Sequence, residues 1–253
     1  VARSRNTFGR RIIDHPLARR QLLKLILPTE QALSVGMAAA TALANDDEAQ
    51  LRILTPLVKY RACRDNVAVA TGAMEMRGGN GYIEDWRNAK LVRDAHLGVL
   101  WEGTSSVNAL DIVRRAVGKE GAHVALAAGL QSHLKEAPIP GQFRGRLTQL
   151  VDRAISFAET VAKKPEAESS CRKAATGLYH VTSAALMACE GARLGAVGGD
   201  ARRMLMSRLV LEHRLGRSDP FSLPDDRWEN AVCDRLFDDQ PVSANEASEL
   251  LAG

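Results

Sequence analysis

The chain has 253 residues, 45% of them hydrophobic, 25% charged and only 4% aromatic, with a formal net charge of +4. That length holds one large or two modest domains with real cores, and rows crowded with alanine, leucine and arginine favour packed helices over a sheet of β-branched and aromatic residues. The longest apolar stretches, such as "VALAAGL" at 124–130, stop far short of the roughly 20 residues a bilayer span needs, so no membrane-spanning segment is expected.

The first predicted helix runs over 16–44, with Leu22, Leu25, Ile26, Leu33 and Met37 at helical spacing and a kink expected at Pro28. A second runs over 48–76, with Leu51, Leu54, Val58, Cys63, Val67 and Val69 as its apolar positions and Pro56 bending or breaking its early part. The glycines of "GGNG" at 78–81 end it. After Thr104 and Ser105, either of which can cap a helix, Val107, Leu110, Val113 and Val117 recur at steps of three and four. The segment "EAPIPGQFRG" at 136–145 reads as a linker, since two prolines and two glycines in ten residues oppose both helix and strand. Further helices are expected over 147–163, 170–195, 199–215 and 226–236. "ALMACEGARLGAVGGD" at 185–200 reads as a packed small-residue helix with a glycine stop. All-α is the fold class these elements imply.

Charge is uneven along the chain. Residues 1–120 carry 18 Lys and Arg against 13 Asp and Glu, while residues 121–253 carry 16 against 17. A basic stretch at 201–217, with Arg202, Arg203, Arg208, Arg214 and Arg217, is followed by an acidic tail. Cys63, Cys171, Cys189 and Cys233 form no CxxC pair and have no nearby histidine pair, so neither a metal site nor a disulfide framework is expected. Scattered reduced thiols, with no apolar signal core after Val1, fit a cytoplasmic protein.

Three segments carry candidate chemistry. In "VLWEGTSS", Glu102 stands just before a helix start, where the dipole favours an ionised carboxylate, and Trp101 could cover it. A charged but shielded carboxylate suits proton abstraction from carbon; a glutamate that only interacts with the helix start explains the same placement. The backbone amides of "GGNG" can face a phosphate, or simply form a helix-ending turn. Arg5 and Phe8 in "RSRNTFGRR" offer a fork for phosphate and a flat apolar face, or a solvated basic start.

Together, "RNTFG" at 5–9, "GGNGY" at 78–82, "RDA" at 93–95 and "WEGTSS" at 101–106 resemble the C-terminal helical domain of the acyl-CoA dehydrogenase family of flavoproteins, over residues 1–117. The resemblance implies a four-helix bundle that follows a helical and a β-domain absent from this chain, so the chain is expected to be the C-terminal portion of a longer subunit. A connector would cover 118–142 and a helical extension 143–253. Glu102 would be the base that removes the α-proton of a fatty acyl-CoA thioester, with the β-hydrogen leaving as hydride to the flavin N5 of FAD. Trp101 and Gly103 would border the substrate. Thr104, Ser106, Glu75 and Gly79 would approach FAD, and Arg5, Thr7, Phe8 and His15 would reach the FAD of a neighbouring subunit, which implies a homo-oligomer, dimer or tetramer. Electrons would pass to an electron-transfer flavoprotein in fatty acid metabolism.

The sequence departs from the family where many members have glutamine and this chain has Glu75 and Ser106, and where Pro16 follows His15. A carboxylate near a diphosphate is repulsive unless it meets a ribose hydroxyl or the adenine amine. Glu75 and the long extension also resemble the alkylation-response branch of the family, whose basic C-terminal surface is associated with DNA. That leaves two rivals: a DNA-associated protective flavoprotein, tested by the charge of 201–217, and an oligomerisation domain without turnover of its own.

Overall fold

The computed structural model describes residues 1–216, 219, 221–223 and 225–252. It opens with a small antiparallel hairpin, β1 (Asn6–Thr7) and β2 (Arg10–Arg11). Phe8 and Gly9 between them both have positive φ, 48° and 80°, as a two-residue hairpin turn requires. The helices α1 (Pro16–Ala44) and α2 (Glu48–Glu75) pack side by side, joined by a short turn. Asp47 caps α2 by accepting from the Gln50 amide at 3.0 Å.

Neither proline interrupts its helix. Pro28 is itself buried, and Leu54 and Leu57 flank Pro56 in the core, so tertiary packing outweighs the missing hydrogen bond. The buried stripe of α1 is Leu23, Leu27, Gln31, Ser34, Val35 and Ala42. The expected stripe is displaced: Leu33 and Met37 are 52% and 57% exposed, because two polar residues, Gln31 and Ser34, take core positions. In α2, Ile53, Leu57 and Tyr60 are buried with Leu54, while Leu51, Val58, Cys63, Val67 and Val69 are half-buried.

The short α3 (Gly79–Tyr82) and α4 (Arg87–Leu97) follow, then α5 (Ser105–Leu110), which continues as a π-helical turn over Asp111–Val117. Val107 faces outward, and Ala109, Ile112, Val113, Ala116 and Val117 form the buried side. Residues 118–142 are not an open connector: they contain α6 (Ala122–Glu136), and α7 (Gly141–Lys163) begins inside the expected linker. Pro140 sits at the helix start, where a missing amide costs nothing, and Phe143, Leu147 and Val151 commit the next two turns to the core.

The extension supplies the most enclosed helix, α8 (Cys171–Ala196), which packs against α1, α2, α5, α6, α7 and α9 (Arg202–Val210). Its alanines allow close approach, with Leu178, Tyr179 and Met187 filling the gaps between neighbours. α9 continues as a π-helical turn over Leu211–Leu215, and α10 (Arg227–Leu236) and α11 (Ala244–Ala252) close the chain. One hydrophobic core runs from Leu23 to Leu251 through both the bundle and the extension.

A buried polar link crosses that core. Gln31 Nε2 donates to Ser183 Oγ at 2.7 Å and lies 3.0 Å from His180 Nδ1. Burial, assisted by Arg61 and Arg214, pushes the His180 pKa down to about 3.

Candidate active site

The loop between α4 and α5 holds Trp101, Glu102, Gly103 and Thr104, and its backbone is unusual. Glu102 has φ 51° and Gly103 φ 90°. A non-glycine residue in the left-handed region costs about 1 kcal/mol, so the surrounding contacts must hold it there. Three side chains do so. Asn108 Nδ2 donates to the Gly103 carbonyl at 2.7 Å and the Thr104 carbonyl at 3.0 Å. Lys59 Nζ donates to the Gly98 carbonyl at 2.6 Å, and Arg64 Nη1 reaches Ser105 Oγ at 3.1 Å. Gly103 is needed on two counts: its φ is positive, and a Cβ would meet Asn108 Nδ2 and Val107 Cγ1 at 3.3 Å.

The Glu102 side chain is exposed and, among the described residues, has no hydrogen bond or ion pair. It does not cap α5, whose N-cap Thr104 makes no side-chain cap bond either. Trp101 does not cover it: the indole is 59% exposed, beside the exposed Leu97, Leu100 and Val107. The expected shielding is therefore not provided by this chain. Ser106 is exposed as well, so the loop presents a carboxylate, two hydroxyls and an apolar rim on one uncovered surface.

A second group of candidate residues gathers at the far end of α2. Arg5 Nη1 lies 3.5 Å from the Arg77 carbonyl and would be 3.6 Å from a Cβ on Gly78. Arg5, Arg77, Gly79, Asn80 and Trp86 line a cavity of ≈ 330 Å³. A Cβ on Gly79 would meet nothing within 4 Å, whereas one on Gly81 would sit 2.2 Å from the Met74 carbonyl oxygen. The last glycine of "GGNG" is thus demanded by packing, and Gly79 by nothing inside the chain. Glu75 ends α2 with its side chain exposed.

His15 straps the hairpin to α1. Its Nδ1 accepts from Arg10 Nε at 3.1 Å, which leaves Nε2 to donate to the Thr7 carbonyl at 2.9 Å. Its ring stands edge-on to Phe8, 6.3 Å between centroids, and Phe8 is 98% exposed at the hairpin tip. Among the described residues, Phe8 and Glu102 are two of the three non-glycine residues with positive φ, Asp46 being the third.

Arg93 of "RDA" pairs with Glu84 at 2.6 Å, linking α4 to the loop after the glycines. The guanidinium holds the Glu84 carboxyl below its usual range. The candidates therefore fall into two groups. From Arg64, which touches the Glu102 loop, to Glu75, the rise of α2 alone separates them by about 17 Å. Lys59, Arg64 and Asn108 escaped the sequence reading; an asparagine five residues after Gly103 was the one local signal.

Residues 1–117 match the family described as acyl-CoA dehydrogenase, C-terminal domain. This segment is an acyl-CoA dehydrogenase C-terminal domain. Among curated proteins, acyl-CoA dehydrogenase family member 11 of Caenorhabditis elegans is 26% identical over 250 residues, covering 94% of this chain and 40% of its own length. AidB of Escherichia coli strain K12 is 31% identical over 173 residues, covering 66% of this chain and 30% of its own length. The crystal structure of C. elegans ACDH-11 in complex with C11-CoA superposes with a TM-score of 0.74 at 23% identity, over 94% of this chain and 43% of that one. A Bacillus anthracis acyl-CoA dehydrogenase complexed with FAD superposes at 0.65 and 14% identity, over 99% and 50%. The all-α fold is that of the acyl-CoA dehydrogenase helical domain, and the chain spans less than half the length of the curated relatives it matches.

Three arginines of the basic stretch after this domain, Arg202, Arg203 and Arg208, are committed inward. Arg203 contacts Glu30, Ser34 and Glu190. Arg202 donates to the Gln240 carbonyl and pairs with Asp200. Arg208 donates to the Leu250 and Leu251 carbonyls and stacks on Trp228 at 4.0 Å. Arg214 is half-buried, and Arg217 lies outside the described residues. Of the five arginines proposed for a DNA platform, three hold the extension together. No helix of the described residues is long and apolar enough to cross a membrane.

Proposed function

We propose that this chain is the C-terminal part of an FAD-dependent acyl-CoA dehydrogenase in which Glu102 removes the α-proton of an acyl-CoA thioester. The observation that carries the proposal is the Glu102 carboxylate itself. It is unpaired, held at φ 51° on a loop anchored by Lys59, Arg64 and Asn108, and placed in the segment that matches the family. A base must keep its lone pairs free until substrate arrives, and a structural glutamate would have spent them.

The residues present fit FAD. Gly79 leaves open space against an exposed backbone, and Arg5 offers donors beside it, as a diphosphate needs. When bound, FAD accepts the β-hydrogen as hydride. Glu102 would take the α-proton onto its carboxylate, and Gly103 would border the thioester. Trp101, Leu97 and Leu100 supply the apolar wall that excludes water once covered. Thr104 and Ser106 would approach the flavin with their hydroxyls, and Glu75 would meet a ribose hydroxyl or the adenine amine.

The two groups of residues, about 17 Å apart along α2, support two flavin-contacting surfaces on one chain. Arg5, Thr7, Phe8 and His15 would serve a neighbouring subunit's FAD, making the enzyme a homo-oligomer, dimer or tetramer. An electron-transfer flavoprotein would reoxidise it in fatty acid metabolism, and four free cysteines suit the cytoplasm.

The test is Glu102→Gln in the complete subunit. Loss of a positioned general base lowers turnover by about 10²–10⁴, so oxidation of a straight-chain acyl-CoA should fall by that factor while flavin absorbance is retained. Turnover within tenfold of the parent protein, with FAD bound, would remove Glu102 from the chemistry.

A further inference from the structure

A second cavity lies where the dehydrogenase domain meets the extension, between α1, α2, α6 and α8, on different elements from the Glu102 loop. Its volume is ≈ 340 Å³. An engineered cavity of about 150 Å³ holds benzene, so this one has room for about a dozen non-hydrogen atoms.

Its walls are graded. Ala42, Leu54, Leu126 and Leu130 form an apolar floor of buried side chains. α8 adds a stripe of Thr182, Leu186, Cys189 and Arg193, which share a face at steps of four, three and four. Thr182 is 1% exposed. Burial pushes the Cys189 thiol up to about 11, so that part of the wall stays uncharged.

The mouth carries the charge. Asp47 is occupied by the Gln50 amide and side chain, and Glu190 by Ser34 and Arg203. Arg193 is less committed: Nη2 faces His133 Nδ1 at 3.3 Å and Glu136 at 3.8 Å, while among the described residues Nε and Nη1 make no hydrogen bond. The two N–H groups of Nη1 stay available to a carboxylate.

We propose that this cleft binds a medium-chain monocarboxylate, its alkyl chain on the apolar floor and its carboxylate against Arg193. The site would let the extension respond to free fatty acid independently of the thioester site.

Octanoate is the probe, titrated calorimetrically into the 253-residue chain, with octylammonium as the opposite-charge control. Saturable one-to-one octanoate binding is expected, weakened at least tenfold in Arg193→Ala, abolished in Ala42→Phe and unchanged in Glu102→Gln. Methyl-labelled leucines should show octanoate-induced shifts at Leu54, Leu126, Leu130 and Leu186; that readout and Arg193→Ala carry the test if Ala42→Phe does not fold. Absence of saturable binding in the millimolar range, shifts confined to other leucines, or equal affinity for octylammonium would overturn the proposal. Loss of binding in Glu102→Gln alone would place octanoate at the thioester surface and equally overturn it.

Discussion

Replacing Arg203 by alanine tests how the extension is held to the dehydrogenase domain. Its guanidinium donates through Nε to Glu190 at 2.9 Å and through Nη2 to Ser34 at 2.6 Å, and pairs with Glu30; Ser34 in turn donates to Glu190 at 2.8 Å. The ring joins α1, α8 and α9. Arg203→Ala would leave Glu30 without this cation and Glu190 with Ser34 alone. Each charge-assisted bond contributes about 1.5–3 kcal/mol when buried. The side chains of Glu30 and Glu190 are 27% and 34% exposed, so water recovers much of that, and a net loss of about 3 kcal/mol is expected. At this chain length the change corresponds to about 6–12 °C in Tm. Urea unfolding followed by circular dichroism at 222 nm measures it. The loss should shrink in high salt, which screens the orphaned carboxylates. It should also shrink when Arg203→Met is combined with Glu30→Gln and Glu190→Gln, because no buried charge is then left alone. A change below about 1 kcal/mol in Arg203→Ala, or duplex DNA retention that depends on Arg203 with stability unaltered, would refute the structural assignment of this arginine.

Three further outcomes follow from the geometry. Gly79→Ala should leave Tm unchanged and weaken FAD binding, while Gly81→Ala, whose Cβ would strike the Met74 carbonyl, should destabilise by about 1–3 kcal/mol; flavin titration and thermal melts on the same samples separate the two. Asn108→Ala, which frees the Gly103 and Thr104 carbonyls, should lower kcat of the complete enzyme by roughly tenfold or more with little change in KM, as a 1 Å misplacement of the base does. His180 is held neutral in the fold with its pKa near 3 against 6.5 unfolded, so the unfolded state binds the extra proton. Its contribution is complete above pH 6.5 and is lost as pH falls from 6.5 toward 3; His180→Phe should flatten the pH dependence of the urea midpoint across that window, relative to the parent chain.

How far the sequence could be read depended on what each signal is made of. Glu102 stood out in the sequence by its place before a helix start, in a segment that resembles a known motif, whereas the positive φ of Glu102 and Gly103 that shapes the turn was not read from it. The end of α2 at the "GGNG" glycines was legible because helix stops are local chemistry. The buried face of α1 was not. Gln31 and Ser34 are core residues only because His180, Ser183, Glu190 and Arg203 arrive from more than a hundred residues away, and hydropathy assigns such positions to solvent. The linker expected at 136–145 is cut to the break at 137–140 for a related reason: its prolines do oppose a helix locally, but Phe143 and Leu147 bury against partners that no local window contains, and α7 starts at Gly141. Arg203 draws both lessons together. As a sequence it is one more charge on a basic stretch, open to reading as a nucleic-acid contact; in the fold it is the residue through which α9 grips both α1 and α8. A charge count can suggest a partner only where the folded charges stay unpaired, and on the described surface of this protein Glu102 and Arg5 meet that condition at matched motifs.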